Sequence, residues 1–382
     1  MDTETQSLFP FVPVPSQWAM EWEHIAKRFG WIRSMMGVPQ DVRYHAEGDV
    51  LIHTRMVAEA LVSHAAWRDV PESDRTILFA AALLHDVAKP VCTQVDADGT
   101  ITSRSHARRG ELLARQILYE GTDLDAPVPF AARERIAKLV RYHGLPLWFY
   151  EKPDPVRAVI EASQTASLRE VALLAEADVR GRVCSDQAEL LDRIAYFRDF
   201  CMENQCWEGP RVLPSDHSRF LYFAGRHSDP DYLAYDDTAC EVIVMSGVPG
   251  AGKDTWIKTN LPDWPVISLD AIRADLGIKP TEAQGHVIQE AKERAREHLR
   301  KRTSFVWNAT NITRMMRRQL IDLFAAYQAR IRIVYVEVPY AMLIERNHAR
   351  ASGLPDNALE RLIGKLEVPD CTEAHRVDYL VE

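Results

Sequence analysis

The sequence holds no run approaching the ~20 uninterrupted apolar residues that a membrane helix requires. It has no Cys-x-x-Cys pair. The six cysteines, Cys92, Cys184, Cys201, Cys206, Cys240 and Cys371, are scattered, which fits small neutral thiols in a reducing cytosol. There is no internal repeat and no low-complexity tract. A composition of 47% hydrophobic and 26% charged residues, with a mean hydropathy of −0.24, excludes a disordered, collagen-like or fibrous chain. Positive charge is in deficit: 46 Lys+Arg face 55 Asp+Glu, a formal net charge of −9. A uniformly basic surface that grips nucleic acid without regard to sequence is thereby excluded. The opening MDTETQSLFPFVPVP is acidic and broken by proline, unlike a signal peptide. A soluble, cytoplasmic protein without a membrane partner is expected.

A chain of 382 residues implies roughly two domains. The charge is divided unevenly between them. Residues 240–382 carry 20 Lys+Arg against 19 Asp+Glu, whereas residues 1–239 carry 26 against 36. From Trp18 to Ile194 apolar residues recur at three- and four-residue spacing, and GDVLIHTRMVAEALVSHAAW and RTILFAAALLHDVAKP read as core helices, the second closed by Pro90. An all-α domain over residues 16–207 follows. Residues 208–239, rich in Gly, Pro, Asp and Ser, read as a connecting segment with a short strand at Phe220–Ala224. From 240 to 382 the runs EVIVMSG, PVISLD, SFVWNAT and RIRIVYVEVP alternate with amphipathic helices, which predicts an α/β domain with a parallel sheet.

The strand EVIVM leads into Gly247-Val-Pro-Gly250-Ala251-Gly252-Lys253-Asp254-Thr255 and then a helix. Glycines let backbone N–H groups curl around phosphates, the helix N-terminus adds its positive dipole, and the lysine reaches the β/γ oxygens. The pattern predicts a P-loop that takes ATP or another nucleoside triphosphate with Mg²⁺. Asp254 stands where Ser or Thr normally ligates magnesium. Either Asp254 contacts Mg²⁺ directly or through water, or it caps the helix and Thr255 serves the metal. The next strand ends in SLDAIR. Asp270 is placed to accept a proton from an incoming hydroxyl and Arg273 to hold an anionic group of the acceptor. In MLIERNHARASG, Arg346 and Arg350 lie four apart, on one helix face, as a lid over the transferring phosphate would require. Arg314, Arg317 and Arg318 either contact a nucleic acid backbone or form a solvated helix face.

GVPGAGKDT, SLDAIR, Asn308-Ala309-Thr310-Asn311 and RNHAR follow one another as in the 5′-hydroxyl polynucleotide kinase domain of bacteriophage type, over about 140 residues. The resemblance implies that Asp270 is the general base for a 5′-OH, that Arg273 grips the acceptor's 3′-phosphate, and that Arg346 and Arg350 contact the donor phosphates. Where phage-type members carry Asp-Thr-Asn this chain has Ala309-Thr310-Asn311, so acceptor-end recognition does not carry over.

In the helical part, His85-Asp86 closes an apolar helix, and a buried His-Asp pair is costly unless paired or metal-bound. His53, His106, His143 and Asp178 occupy helix-compatible positions. Imidazoles with carboxylates favour Mn, Ni, Co, Zn or Fe, and two such ions would generate a hydroxide and clamp a phosphoryl group. The ordered set resembles the HD phosphohydrolase superfamily, which implies His53, His85, Asp86 and Asp178 as a metal quartet, His106 and His143 as second-metal ligands, and Lys89 for phosphate neutralisation. YHAEGDVLIHT resembles the HD module attached to some bacterial tRNA nucleotidyltransferases, which places His45 and Glu47 at the substrate pocket.

The two halves together resemble the bacterial HD-domain polynucleotide kinases of RNA repair. That resemblance implies a bifunctional end-healing enzyme. It would phosphorylate 5′-OH ends of RNA or DNA and hydrolyse 2′,3′-cyclic phosphate or 2′-phosphate ends, for an RNA ligase acting downstream. Two other readings remain open. One is a small-molecule kinase fused to an HD nucleotide phosphohydrolase, distinguished by its acceptor. The other is a nucleotide-sensing regulatory protein, for which Asp254 is the only hint.

Overall fold

In the helical part, the side chains of Asp49 and Ser167 cap the starts of two of the main helices. The computed structural model describes residues 8–15, 17–279, 282–350 and 353–382. Ser16, the expected start of the helical domain, lies outside them, as do residues 1–7 of the opening segment and Ala351–Ser352 of the lid segment. The chain divides into two compact units, Met1–Arg211 and Val212–Glu382.

In the first unit, α1 (Val50–Ser63) starts where the Asp49 carboxylate accepts from Ile52 N at 2.9 Å. Helix α2 (Glu72–Leu84) is buried on every side from Thr76 to Leu84, as expected of a central helix. Helices α3 (His106–Glu120), α4 (Phe130–Tyr142), α5 (Leu168–Arg180) and α6 (Gln187–Glu203) complete the main set. Helices α1, α2, α4 and α5 pack on one another around Val57, Leu61, Leu83, Ile136, Leu139 and Leu174. Gly181, at the end of α5, abuts α1 so closely that a Cβ there would sit 2.6 Å from Val57 N. Only glycine allows that approach, and it brings Asp178 beside His53.

Two details depart from the sequence reading. Pro90 does not close a helix. It sits in the first turn of a new one, Lys89–Cys92, where its missing N–H costs nothing, while α2 has already ended at Leu84. A small antiparallel hairpin, Gln94–Val95 with Ile101–Thr102, interrupts the helices; Asp96 N bonds Thr100 O at 2.9 Å across a turn that contains Gly99.

The second unit carries one parallel sheet of β1 (Cys240–Ser246), β2 (Val266–Ser268), β3 (Phe305–Asn308), β4 (Ala329–Glu337) and β5 (Arg376–Val381), in spatial order β2-β3-β1-β4-β5. Helices α7 (Lys253–Asn260), α8 (Leu269–Asp275), α9 (Gly285–Arg300), α10 (Arg314–Ala325) and α11 (Tyr340–Ala349) alternate with the strands. The all-α and parallel α/β architectures read from the sequence are present, and four of the five strands are those expected.

The expected strand at Phe220–Ala224 is instead a helix, Asp216–Phe223. Ser215 caps it by accepting from Ser218 N at 3.0 Å, and His217, Phe220 and Tyr222 are buried along it. The segment read as a connector therefore contributes structure to the second unit. The edge strand β5 is not anticipated by the sequence reading.

Candidate active sites

The first candidate site lies at the meeting point of α1, the α2 terminus, the α3 start, the α4 terminus and α5. His53 comes from α1, His85-Asp86 from the turn after α2, His106 from the first position of α3, His143 from the cap of α4, and Asp178 from α5. All but His106 are almost fully buried. His53 Nε2 is 3.1 Å from Asp178 Oδ1 and 3.8 Å from Asp86 Oδ2, and His85 Nε2 is 3.2 Å from Asp86 Oδ2. His106 Nε2 is 3.5 Å from Asp86 Oδ1.

The imidazole tautomers follow from their outer partners. Nδ1 of His85, His106 and His143 faces the carbonyl oxygens of Ala82, Ser103 and Val140 at 2.7, 2.8 and 2.8 Å. A carbonyl only accepts, so Nδ1 carries the hydrogen and the neutral ring turns an Nε2 lone pair inward. Nδ1 of both His45 and His53 faces Glu47 Oε1, at 2.8 and 2.9 Å, and Glu47 Oε2 accepts from Val183 N.

The inward nitrogens crowd one another. His85 Nε2 and His53 Nε2 are 3.4 Å apart, and His106 Nε2 and His143 Nε2 are 3.3 Å apart. Two lone pairs at that distance repel unless a proton or a cation lies between them. Asp86 Oδ1 is buried without a hydrogen-bond partner among the described residues. Two donor groups, His53/His85/Asp86 and Asp86/His106/His143, share Asp86. These observations fit divalent transition metals held by nitrogen and carboxylate oxygen, with Asp86 common to both groups.

Charges around the cluster are arranged to keep the carboxylates ionised. Burial opposes ionisation of Asp86, but Lys89 and His85 hold it well below the usual carboxylate range. Asp178 is held low, against its burial, by Arg182 and His53. Burial pushes His143 down to about 3, whereas Asp86 and Asp178 outweigh burial at His85 and raise it. Lys89 Nζ reaches Asp86 Oδ2 and Gln40 Oε1, both at 2.7 Å. A cavity of about 750 Å³ opens beside the cluster, lined among others by His45, Asp86, Lys89, His106, His143 and Asp178.

Sequence reasoning missed Gln40, which carried no signal, and Arg182. Arg182 grips Asp178 with two bonds of 3.0 and 2.5 Å. Its i+4 spacing from Asp178 was the available clue.

The second candidate site lies at the C-terminal ends of β1 and β3. Gly247 takes φ 144°, and a Cβ there would lie 2.4 Å from Val336 O. Gly247 N donates to Thr310 O at 2.9 Å, which ties the loop to the end of β3. Asn311 braces the same junction, with Nδ2 on Met245 O at 2.7 Å. Lys253 Nζ donates to Gly247 O and Val248 O within the loop, and burial pushes its ammonium down to about 8. Asp254 Oδ1 accepts from Asn308 Nδ2 at 2.6 Å, and Asp254 and Thr255 are both exposed. The exposed Asp270 pairs with Arg273, whose Nε also donates to Gln284 Oε1 at 2.8 Å. Asp254, Asp270 and Arg350 all lie close enough to Lys253 for their charges to act on it. Arg346 extends to 3.7 Å from the Cβ position of Gly252 and pairs with Glu382 at 3.2 Å.

Two expectations need correction here. Arg346 and Arg350 do not share a helix face, because α11 ends at Ala349 and Arg350 is its extended C-cap. Asn347 turns the chain back by bonding Leu354 O and Leu354 N at 2.7 and 2.9 Å. Arg317 is no nucleic acid contact. It is fully buried and clamps Glu373 through two bonds of 2.8 Å, while Arg318 is exposed and Arg314 binds Thr372.

The comparisons with known proteins agree with both halves. An HD domain model matches residues 50–179, and an AAA domain model matches residues 242–369. The chain joins an HD domain to a P-loop kinase-like domain. The HD domain spans the histidines and Asp178 of the cluster, and the P-loop domain carries the phosphate cradle on its five-stranded parallel sheet. Multifunctional CCA proteins of Nitrosococcus oceani and Thioalkalivibrio sulfidiphilus are each 32% identical over 163 residues, covering 41% of this chain and 36% of theirs. The chain thus spans about a third of the length of those relatives. An L-seryl-tRNA(Sec) kinase of Methanococcus maripaludis is 21% identical over 136 residues, covering 34% of this chain and 53% of that protein. No helix among the described residues is long and apolar enough to cross a membrane.

Proposed function

We propose that this protein is a bifunctional nucleic-acid end-healing enzyme. Its P-loop domain phosphorylates 5′-OH ends from a nucleoside triphosphate with Mg²⁺. Its HD domain hydrolyses 2′,3′-cyclic phosphate or 2′-phosphate ends with divalent transition metals, in RNA repair and ahead of a ligase. The observation that carries the reading is the pairing, on one chain, of a centre built to add a phosphoryl group with a centre built to remove one. Ribonuclease breaks leave one end for each. One relative's name is that of a kinase acting on a seryl-tRNA, which is compatible with a large RNA acceptor.

In the HD site, His53, His85, Asp86, His106, His143 and Asp178 would hold the ions, which supply a hydroxide nucleophile and neutralise the phosphoryl oxygens. Glu47 and the backbone carbonyls fix the imidazoles with Nε2 inward. Lys89 and Arg182 keep Asp86 and Asp178 ionised, and Lys89 can turn from Gln40 toward a substrate phosphate. In the kinase site the loop amides and Lys253 receive the triphosphate. Asp270 accepts the hydroxyl proton once Arg273 moves to the acceptor's phosphate, and Arg346 and Arg350 close on the donor.

The test separates the centres. Lys253→Ala and Asp270→Ala should abolish transfer from ATP to a 5′-OH oligonucleotide while leaving cyclic phosphate hydrolysis intact, and Asp86→Ala should do the reverse. Label transfer to nucleosides or sugars instead of the oligonucleotide would favour a metabolite kinase.

A further inference from the structure

The cavity beside the His/Asp cluster is larger than the cluster's chemistry needs. Its volume of about 750 Å³ lies in the range of roughly 300–1,000 Å³ that buries whole organic ligands, whereas a phosphate and its ions need only the cluster end. Two large aromatic side chains line it and are still exposed, Tyr44 at 50% and Trp148 at 40%.

Trp148 is backed by a neighbouring cation. It ends the single helical turn Leu145–Trp148, which Gly144 separates from His143, so its backbone lies five residues from a residue of the cluster. The guanidinium of Arg193 lies 4.8 Å from the ring centroid, and Arg193 is itself fixed by Glu189 at 2.7 Å. A cation therefore backs the indole, and Lys152 lines the same cavity. A fixed aromatic surface left open beside a phosphate-processing centre is what a nucleobase stacks on, because every base offers a π-face. An alkyl or sugar ligand would gain far less from it.

We infer that Trp148 is the stacking platform for the base of the nucleotide whose phosphate lies at the His/Asp cluster. The HD site accordingly takes a nucleotide or strand end with an intact base and discriminates against a bare sugar phosphate. This deepens the phosphoesterase reading and rests on it for the identity of the phosphate group.

The experiment uses the full-length protein loaded with Mn²⁺ and two substrates, adenosine 2′,3′-cyclic phosphate and base-free methyl riboside 2,3-cyclic phosphate. Hydrolysis is followed as kcat/KM. Equilibrium affinity is measured with the slowly hydrolysed cyclic phosphorothioates of both. The wild type should prefer the base-bearing ligand by about 5- to 100-fold, the worth of one stacked base. Trp148→Ala should remove most of that preference without weakening the base-free ligand, and Trp148→Phe should retain it. Equal affinity of the wild type for both ligands overturns the inference. So does a Trp148→Ala variant that weakens both alike, or a preference that moves only with Tyr44→Ala. A Trp148-dependent preference in binding with no hydrolysis of either substrate would uphold the platform and overturn the phosphoesterase reading.

Discussion

Gly181→Ala should damage the HD site from outside it. A Cβ at this position would meet Val57 N at 2.6 Å and Val57 Cα at 2.8 Å, both backbone atoms that no rotamer change can move. Ordinary contact begins near 3.4 Å, so the end of α5 must retreat from α1 by about 0.8 Å. Overpacking of this kind costs roughly 1–3 kcal/mol. In a unit of this size that lowers the melting temperature by about 2–10 °C. Asp178 lies three residues before Gly181, and His53 lies four before Val57. The retreat therefore acts directly on their 3.1 Å contact. A misplacement near 1 Å at a reacting centre costs on the order of 100-fold in rate. The assay is cyclic phosphate hydrolysis with Mn²⁺, alongside thermal melting and ATP-dependent kinase activity as an internal control. Gly209→Ala, where an added Cβ meets nothing within 4 Å, is the matched control. Hydrolysis and melting unchanged in Gly181→Ala would refute the argument.

Three further outcomes are expected. Glu47→Ala removes the carboxylate that the His45 and His53 Nδ1 atoms both face and should weaken transition-metal binding about 10- to 100-fold in a metal titration, with kinase activity unchanged; equal affinity would contradict that role. Asp254→Ser should raise the Mg²⁺ concentration needed for half-maximal kinase activity several-fold, and an unchanged or lower requirement assigns magnesium to Thr255 instead. His375 accepts from Ile331 N at 3.0 Å, faces His217 Nδ1 at 3.0 Å, and is pushed down to about 3 by burial and then by Arg330, His217 and Arg219, against Asp236. Because its folded value lies below that of the unfolded chain, its stabilisation is complete above about pH 6.5 and is lost as pH falls toward 3. The loss reaches about 2 kcal/mol by pH 5. Amide exchange of strand β4 should show this slope, and His375→Phe should flatten it; equal slopes would exclude His375 as the cause.

Residues whose chemistry is costly to bury were legible in the sequence. His85-Asp86 inside an apolar run and glycines before a lysine each announce themselves, because few structural roles tolerate them. The rest depends on partners far away in the chain. Gln40 meets Lys89, 49 residues on, and nothing local marks it. Arg317 looks like one of three arginines on a basic helix. Yet its spacing of 3, 4 and 7 from Leu320, Ile321 and Phe324 places it on the buried face, opposite Glu373. The edge strand β5 shows only weak alternation because no residue in it is fully buried. Ser215 could have corrected the expected strand at Phe220–Ala224, since a serine before an amphipathic run is a helix cap.

Net charge alone set the charge question too coarsely. The value of −9 disfavours coating of duplex, but it permits strand ends to be held by a few arginines in one domain and by bound ions in the other. The most direct test offers the full-length protein one oligoribonucleotide with a 5′-OH and a 2′,3′-cyclic phosphate, and follows both ends, first with ATP and Mg²⁺ and then with Mn²⁺, Ni²⁺ or Co²⁺. The account predicts a 5′-phosphate in the first condition and opening or removal of the cyclic phosphate in the second. No change at either end would contradict it.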